Sequence, residues 1–177
     1  MAGKGKEEVR SENAFVDHVV NVRRVTKVTK GGKRFSFSAL VVCGDQKGKV
    51  GLALGKSREV SSAIAKATNR ARKNLIDIPL RGTTLPYNVV GSHGSSSVII
   101  RSACKGTGLI AGGAVRSVME ALGVKDVLAK SLGSSNRMNV VKATLNALAQ
   151  LRTLNDVAKL RGKTVEQILK GSHVKVK

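Results

Sequence analysis

The stretch from Gly32 to Val60, GKRFSFSALVVCGDQKGKVGLALGKSREV, decides the reading of this chain. Phe35, Phe37, Ala39, Val41 and Cys43 alternate with other residues at the period of a strand. Gly44-Asp45-Gln46-Lys47-Gly48 supplies turn chemistry, and the lone Asp45 is expected to bond its own backbone there. Val50, Leu52 and Leu54 then alternate with small residues in a second strand closed by Gly55. Ser57 is expected to cap a following helix, with Glu59 in its electropositive first turn. Along that helix Val60, Ile64, Ala67, Ala71 and Leu75 recur at helical spacing, a narrow stripe able to lie close on a sheet. Its other side carries Lys66, Arg70 and Lys73, with Arg72 adjacent, a row about 10 Å long at 1.5 Å rise per residue.

Upstream, FVDHVVNVRRV opens at Phe15 and is rich in β-branched residues, which predicts a strand. Its apolar phase slips between Val22 and Val25, so a bulge or strong twist is expected at Arg23-Arg24. Thr29-Lys30-Gly31-Gly32-Lys33 reads as a hairpin tip. Arg23, Arg24, Lys27, Lys30, Lys33 and Arg34 crowd around it, and no acid stands between Asp17 and Asp45. A hairpin so charged is expected to be mobile alone and ordered by a polyanion.

That excess runs through the whole chain. Its 177 residues carry 32 Lys+Arg against 11 Asp+Glu, a net charge of +21. Before residue 81 there are 17 cations and 7 acids; from residue 81 on there are 15 and 4. The charge therefore sits on the body of the protein, not on one tail or one amphipathic membrane helix, and the matching partner is a nucleic acid touching several sides. With no Trp, one Tyr and three Phe there are few platforms for unstacked bases, so recognition is expected to be mainly of backbone and shape. No apolar run is long enough to span a bilayer, and MAGKGKEEVR has no secretory signal pattern, so the expected compartment is the cytoplasm. Cys43 and Cys104 are expected to be reduced core residues, since neither has a CxxC or Cys/His neighbour.

Beyond the basic helix, Leu80 to Pro86 reads as a linker or crossover. Val89-Val90 and Val98 to Ile100 suggest a hairpin around Gly91-Ser92-His93-Gly94. A helix from about Ala111 to Leu122, a strand near Val127 to Ser131, a helix from about Asn136 to Leu151 and a short helix at Val165 to Leu169, capped by Thr164, complete an α/β pattern.

Two segments invite an enzymatic reading. Gly55-Lys56-Ser57 resembles the end of a phosphate-binding loop, but the required first glycine would fall at Val50. Gly106 to Ala111 fits GxGxxA with too little sequence behind it for a dinucleotide-binding sheet; its small residues, continued by Gly112-Gly113-Ala114, are expected to permit close packing of a helix against a strand, a partner chain or an RNA backbone. His18, His93 and His173 share no short metal spacing. No catalytic residue, metal site, cofactor or small-molecule substrate is expected.

Three antiparallel strands carrying a basic helix form the layout of double-stranded-RNA-binding modules. The Gly32 to Val60 stretch, together with the later GTGLIAGGAVRSVMEALG, resembles the small-subunit ribosomal proteins of the S-five family, from about Phe15 to Leu151. The resemblance implies a fold of α/β (α+β) class, with a double-stranded-RNA-binding-like βββα domain at 15–79 and a second α/β domain of the family's type at 80–151. These would be flanked by a flexible tail at 1–14 and a C-terminal extension with a short helix at 152–177.

It further implies a non-enzymatic constituent of the small ribosomal subunit that binds 16S-type ribosomal RNA, helps hold head against body, contributes to translational accuracy and lies near where messenger RNA enters. Proteins of the S-four and S-eight families would be its neighbours. The expected RNA-binding residues are Arg23, Arg24, Lys27, Lys30, Lys33, Arg34, Lys47, Lys49, Lys56, Arg58, Lys66, Arg70 and Lys73. The family's loop near the spectinomycin site falls on Thr26, Lys27, Val28, Thr29, Lys30, Gly31 and Gly32, and its protein-partner face on Gly108, Gly112, Gly113 and Arg116. From composition alone, a free RNA chaperone or nucleoid-type nucleic-acid binder remains the alternative.

Overall fold

The computed structural model of the chain describes residues 15–170. The expected tail at 1–14, His173 and the loose basic end after Lys170 lie outside the described residues.

Strand alternation builds the first sheet. β1 (Val16–Thr29) turns through Lys30-Gly31 into β2 (Gly32–Gly44), which pairs with β3 (Lys49–Ser57), all antiparallel. Helix α1 (Val60–Lys73) follows, and the chain returns as a short β4 (Leu75–Asp77) on the far edge of β3. The expected βββα order is present, with this fourth strand added. Leu75 therefore belongs to β4 and not to the helix stripe.

β2 is buried on both faces, and this joins the two halves of the molecule. Ala39, Val41 and Cys43 look towards α1, where Ala63, Ala67 and Ala71 are fully buried. Leu40 and Val42 look the other way, into a core shared with Val115, Val118, Met119 and Leu122. Close approach of α1 needs glycine in β3: a Cβ on Gly55 would stand 2.1 Å from the Ala63 carbonyl oxygen, and one on Gly51 2.3 Å from that of Ala71.

The second sheet has the order β5 (Val89–His93), β6 (Ser96–Ser102), β8 (Val127–Gly133), β7 (Leu109–Ile110), with only β7 and β8 parallel. Helices α2 (Gly113–Leu122) and α3 (Arg137–Ala149) cover its inner face. The β2–β3 turn closes the C-terminal end of α2, since the amides of Gln46 and Gly48 donate to the carbonyls of Ala121 and Leu122 at 3.1 and 3.2 Å. Asp45 accepts from the amides of Lys47 and Lys49, as expected of it. α4 (Leu154–Arg161) and α5 (Val165–Lys170) follow, so the extension holds two helices where the pattern gave one. α4 opens on a reciprocal Thr153–Asp156 capping box. At α5 the Gln167 amide donates to the Thr164 hydroxyl oxygen at 3.3 Å.

Local expectations are corrected at four places. The irregularity in β1 lies between Val19 and Asn21, leaving Val20 unpaired, and not at Arg23-Arg24. The Arg137 guanidinium donates to the Val20 carbonyl and the Asn21 side chain, both at 3.2 Å, so a long-range contact satisfies the carbonyl of the unpaired residue at the bulge. Ser57 ends β3 instead of capping α1; the N-cap is Glu59, whose side chain makes no cap bond. Val60 is exposed, and the buried stripe starts at Ala63. Cys104 is exposed, unlike Cys43, although both are free thiols.

Candidate nucleic-acid interface

Two structural devices present the cations. The first is the β1–β2 hairpin. β3 stops pairing with β2 at the Phe37–Ser57 pair, so the hairpin continues beyond it as a two-stranded arm. Pairing register assigns the arm's side chains to two faces, because opposite residues share a face. Arg24, Thr26, Val28, Lys33 and Phe35 fall on the α1 side; Arg23, Val25, Lys27 and Arg34 fall on the other. Phe35 is 48% exposed, and the Arg24 guanidinium carbon lies 4.6 Å from its ring centroid.

The second device is α1. Burial of Ala63, Ala67 and Ala71 against β2 and β3 turns Lys66, Arg70 and Lys73 outwards, all exposed, with no acid in the helix. Arg70 also donates to the Leu54 carbonyl at 3.3 Å, covering part of the open edge of β3. Arg72, counted beside this row in sequence, is spent inside the protein. Its Nη2 donates to Asp17 at 2.7 Å and it stacks on Phe15 at 5.6 Å, an arrangement that holds its proton more firmly than usual. Beneath this pair the Cys43 thiol is pushed up to about 11, chiefly by burial and then by Asp17.

The remaining cations do not form one cluster. Lys56 pairs across with Ser38 on the face away from α1, where Arg23, Asn21, Asn136 and Met138 share a shallow cleft with it. Arg58 sits between β3 and α1, near the base of the arm. Lys47 and Lys49 stand at the opposite end of the sheet, Lys49 opposite Asp77. Together these positions follow the length of β1, about 45 Å at strand rise, and look out on both sides of the sheet.

The glycine segment after β6 is organised by a residue that the sequence reading passed over. Asp126, 4% exposed, accepts from the amides of Gly106 and Gly108 at 2.9 and 3.1 Å. The Thr83 hydroxyl first, and then these amides, hold its carboxyl below the usual carboxylate range. Gly106 and Gly108 have positive φ, and a Cβ on either, or on Gly112 or Gly113, would meet nothing within 4 Å. These glycines are therefore open to the surroundings and do not serve close internal packing. Arg116 keeps its Nε on Glu120 of its own helix at 2.8 Å. In sequence Asp126 stands 20 and 18 residues from Gly106 and Gly108, so the one available signal was its being among only four acids after residue 80.

Among the described residues no group of His, Cys, Asp and Glu could hold a metal ion, and no helix is long and apolar enough to cross a membrane. Residues 15–79 match the family described as "Ribosomal protein S5, N-terminal domain", and residues 91–161 match "Ribosomal protein S5, C-terminal domain". A relative from Lawsonia intracellularis, "Small ribosomal subunit protein uS5", is 54% identical over 157 residues, covering 89% of this chain and 96% of the relative. A protein of the same description from Flavobacterium psychrophilum is 56% identical over 155 residues, covering 88% of this chain and 89% of its own.

Proposed function

The chain belongs to the ribosomal protein S5 family, and from that premise we propose how its two cationic devices serve the small subunit. As a member it is a structural constituent of the small ribosomal subunit and not an enzyme. The reading beyond this is that residues 15–79 act as the double-stranded-RNA-binding-like unit, with Lys66, Arg70 and Lys73 following phosphates and the arm reaching into 16S-type RNA. Units 15–79 and 80–151, joined through β2, brace head against body. The arm tip from Thr26 to Gly32 lies near the spectinomycin site.

The observation that carries this is the two-sided distribution of cations around an acid-free arm. A binder resting on one duplex needs one basic face, whereas cations on both faces fit a protein packed between RNA segments. The open glycines Gly108, Gly112 and Gly113, with Arg116, form the face for an S-four family neighbour. An S-eight family protein is the second neighbour, and messenger RNA passes close by. Accuracy of decoding then depends on contacts that break when the subunit closes.

Co-sedimentation tests the assignment. The protein should remain with small subunits through a moderate-salt wash, with crosslinks to ribosomal RNA from both faces of the arm. Release at moderate salt would support the free RNA chaperone instead.

A further inference from the structure

We propose that Arg24 and Phe35 form a stacking site for one unpaired RNA base on the α1-side face of the arm. The inference rests on the RNA-binding reading and adds to it a contact with a base, where composition pointed only to backbone and shape.

The three phenylalanines of the chain have different fates. Phe37 packs against the buried cluster of Ala39, Val41, Ala63 and Ala67, and Phe15 packs against that of Cys43, Ala53 and Ala71. Phe35 alone stays half exposed, at 48%. It sits beyond the last residue paired to β3, on a hairpin with no third strand.

Two Arg–Phe stacks lie on this one face of the sheet, and their difference is the argument. Over Phe15, Arg72 is closed off by Asp17 at 2.7 Å. Over Phe35, Arg24 comes closer to the ring, 4.6 Å against 5.6 Å, and among the described residues it has no ion-pair partner. No acid occurs in the sequence from residue 18 to residue 44 to supply one.

A guanidinium laid on a ring has one apolar plane covered and the other open, while its N–H edge remains free. A base continuing the stack covers the open plane, and the edge donates to that nucleotide's own phosphate. Val28, 70% exposed, and Lys33 are paired opposite each other further along the same face, so the next nucleotide meets an apolar patch and a cation. Arg23, on the opposite face of the sheet, has no ring to lie on and acts as a phosphate ligand only.

The test is titration of full-length protein with 16S ribosomal RNA across a salt series, for wild type, Phe35→Leu and Arg24→Lys. Phe35→Leu keeps an apolar residue and removes the ring; Arg24→Lys keeps the charge and removes the plane. Each should lose roughly 5- to 150-fold in affinity, the range for one stacked base, with the slope of log affinity against log salt unchanged. Thermal unfolding should match wild type, because Phe35 contributes little to the core. In the assembled subunit, ultraviolet irradiation should join Phe35 to a single unpaired nucleotide. Wild-type affinity for Phe35→Leu, or a crosslink from Phe35 to protein instead of RNA, overturns the stacking site while leaving salt-dependent RNA binding intact. A wild-type protein showing no salt-dependent binding at all overturns the underlying reading as well.

Discussion

Helix α1 lies on β3, and helix α3 lies on β5, by the same contact. In the first pair Gly55 admits the Ala63 and Ala67 backbone; in the second a Cβ on Gly91 would fall 2.4 Å from the Ala143 carbonyl oxygen and the Ala147 amide nitrogen. Their outer faces diverge. α3 spends Arg137 and Asn146 on the protein, Arg137 on the β1 bulge and Asn146 donating to the Ser92 carbonyl at 3.0 Å, and leaves Lys142 as its one exposed lysine. α1 turns Lys66, Arg70 and Lys73 outwards, and only Arg70 makes a bond to the protein. Close backbone approach thus fixes each helix on its sheet, so the outer surface can be written for a partner without disturbing the fold.

The strongest way to break the comparison is to remove what the two pairs share. Gly55→Val and Gly91→Val each place side-chain atoms where helix backbone already stands, and backbone cannot move aside as a flexible side chain can. Each should cost about 3 kcal/mol or more, and both should register in urea unfolding as a lower midpoint or as failure to fold. If one glycine tolerated valine, its helix would be held by side-chain packing alone and the two contacts would not be equivalent.

Removing what differs should give the next largest effect. The triple variant Lys66→Ala, Arg70→Ala, Lys73→Ala should bind ribosomal RNA about a hundredfold more weakly near 0.1 M salt, with the log-log slope flattened by roughly 0.7 to 0.9 per lost phosphate contact. Arg70 divides its guanidinium between the Leu54 carbonyl and solvent, so its share should be the smallest of the three. Lys142→Ala, on the exposed side of α3, should leave slope and affinity unchanged. Equal losses from the two helices would mean that charge acts through the whole molecule and not through the α1 face.

The same contrast explains what could be read in the sequence. The turn at Asp45 follows from local chemistry and the three long strands from local periodicity, and both were legible; of the helix stripe Ala67 and Ala71 were legible, whereas Ala63 was missed and Val60 and Leu75 lie outside it. The bulge position was not, because the residue that meets it, Arg137, is more than a hundred residues away. β4 and β7 are too short for any period to reveal. Ser57 has cap chemistry, yet pairing with Phe37 draws it into β3, a tertiary contact outweighing a local preference. Likewise the charge of Arg72 was visible but its destination was not: Asp17 lies 55 residues back and reaches it only through the sheet. The cations of the arm were legible as a cluster, whereas their division between two faces needed the register.

Buried polar devices extend the comparison to pH. In the second sheet, Asp126 holds the glycine loop with its carboxyl depressed, so the charged form favours the fold. Its contribution is complete above the unfolded carboxylate value of about 4 and is lost as pH falls through the lower folded value. Urea midpoints measured from pH 6 to pH 3 should therefore decline, and Asp126→Asn should flatten that decline. In the first sheet the raised Cys43 thiol works in the opposite direction. It favours the fold below the unfolded thiol value of about 8.5, and that advantage fades as pH rises towards about 11. A thiol reagent at pH 8 should accordingly label Cys104 at once and Cys43 only on unfolding; rapid labelling of both would place Cys43 outside the α1 contact.

The smallest expected effect concerns α2, which belongs to neither pattern. Like α3 it covers the second sheet with a buried face, and like α1 it presents an outward arginine, but its N-cap is Gly112 and no side chain closes its first turn. Arg116 is bonded to Glu120 of the same helix, so only its remaining guanidinium nitrogens are available to a neighbour. Arg116→Glu replaces an (i, i+4) ion pair with a like-charge pair, which should lower stability by roughly 0.5 kcal/mol, and RNA affinity should change no more than one distant charge reversal requires. If the glycine face meets a neighbouring protein, that contact should weaken by about 1 kcal/mol, because an exposed guanidinium already sharing a carboxylate has less to lose than a free one. Assembled subunits carrying the variant should then misread more often in a codon-discrimination assay. Unchanged accuracy together with unchanged affinity for the neighbour would place α2 with α3, as a helix whose polar groups are spent on the protein itself, and the open glycines would serve only the loop that Asp126 holds.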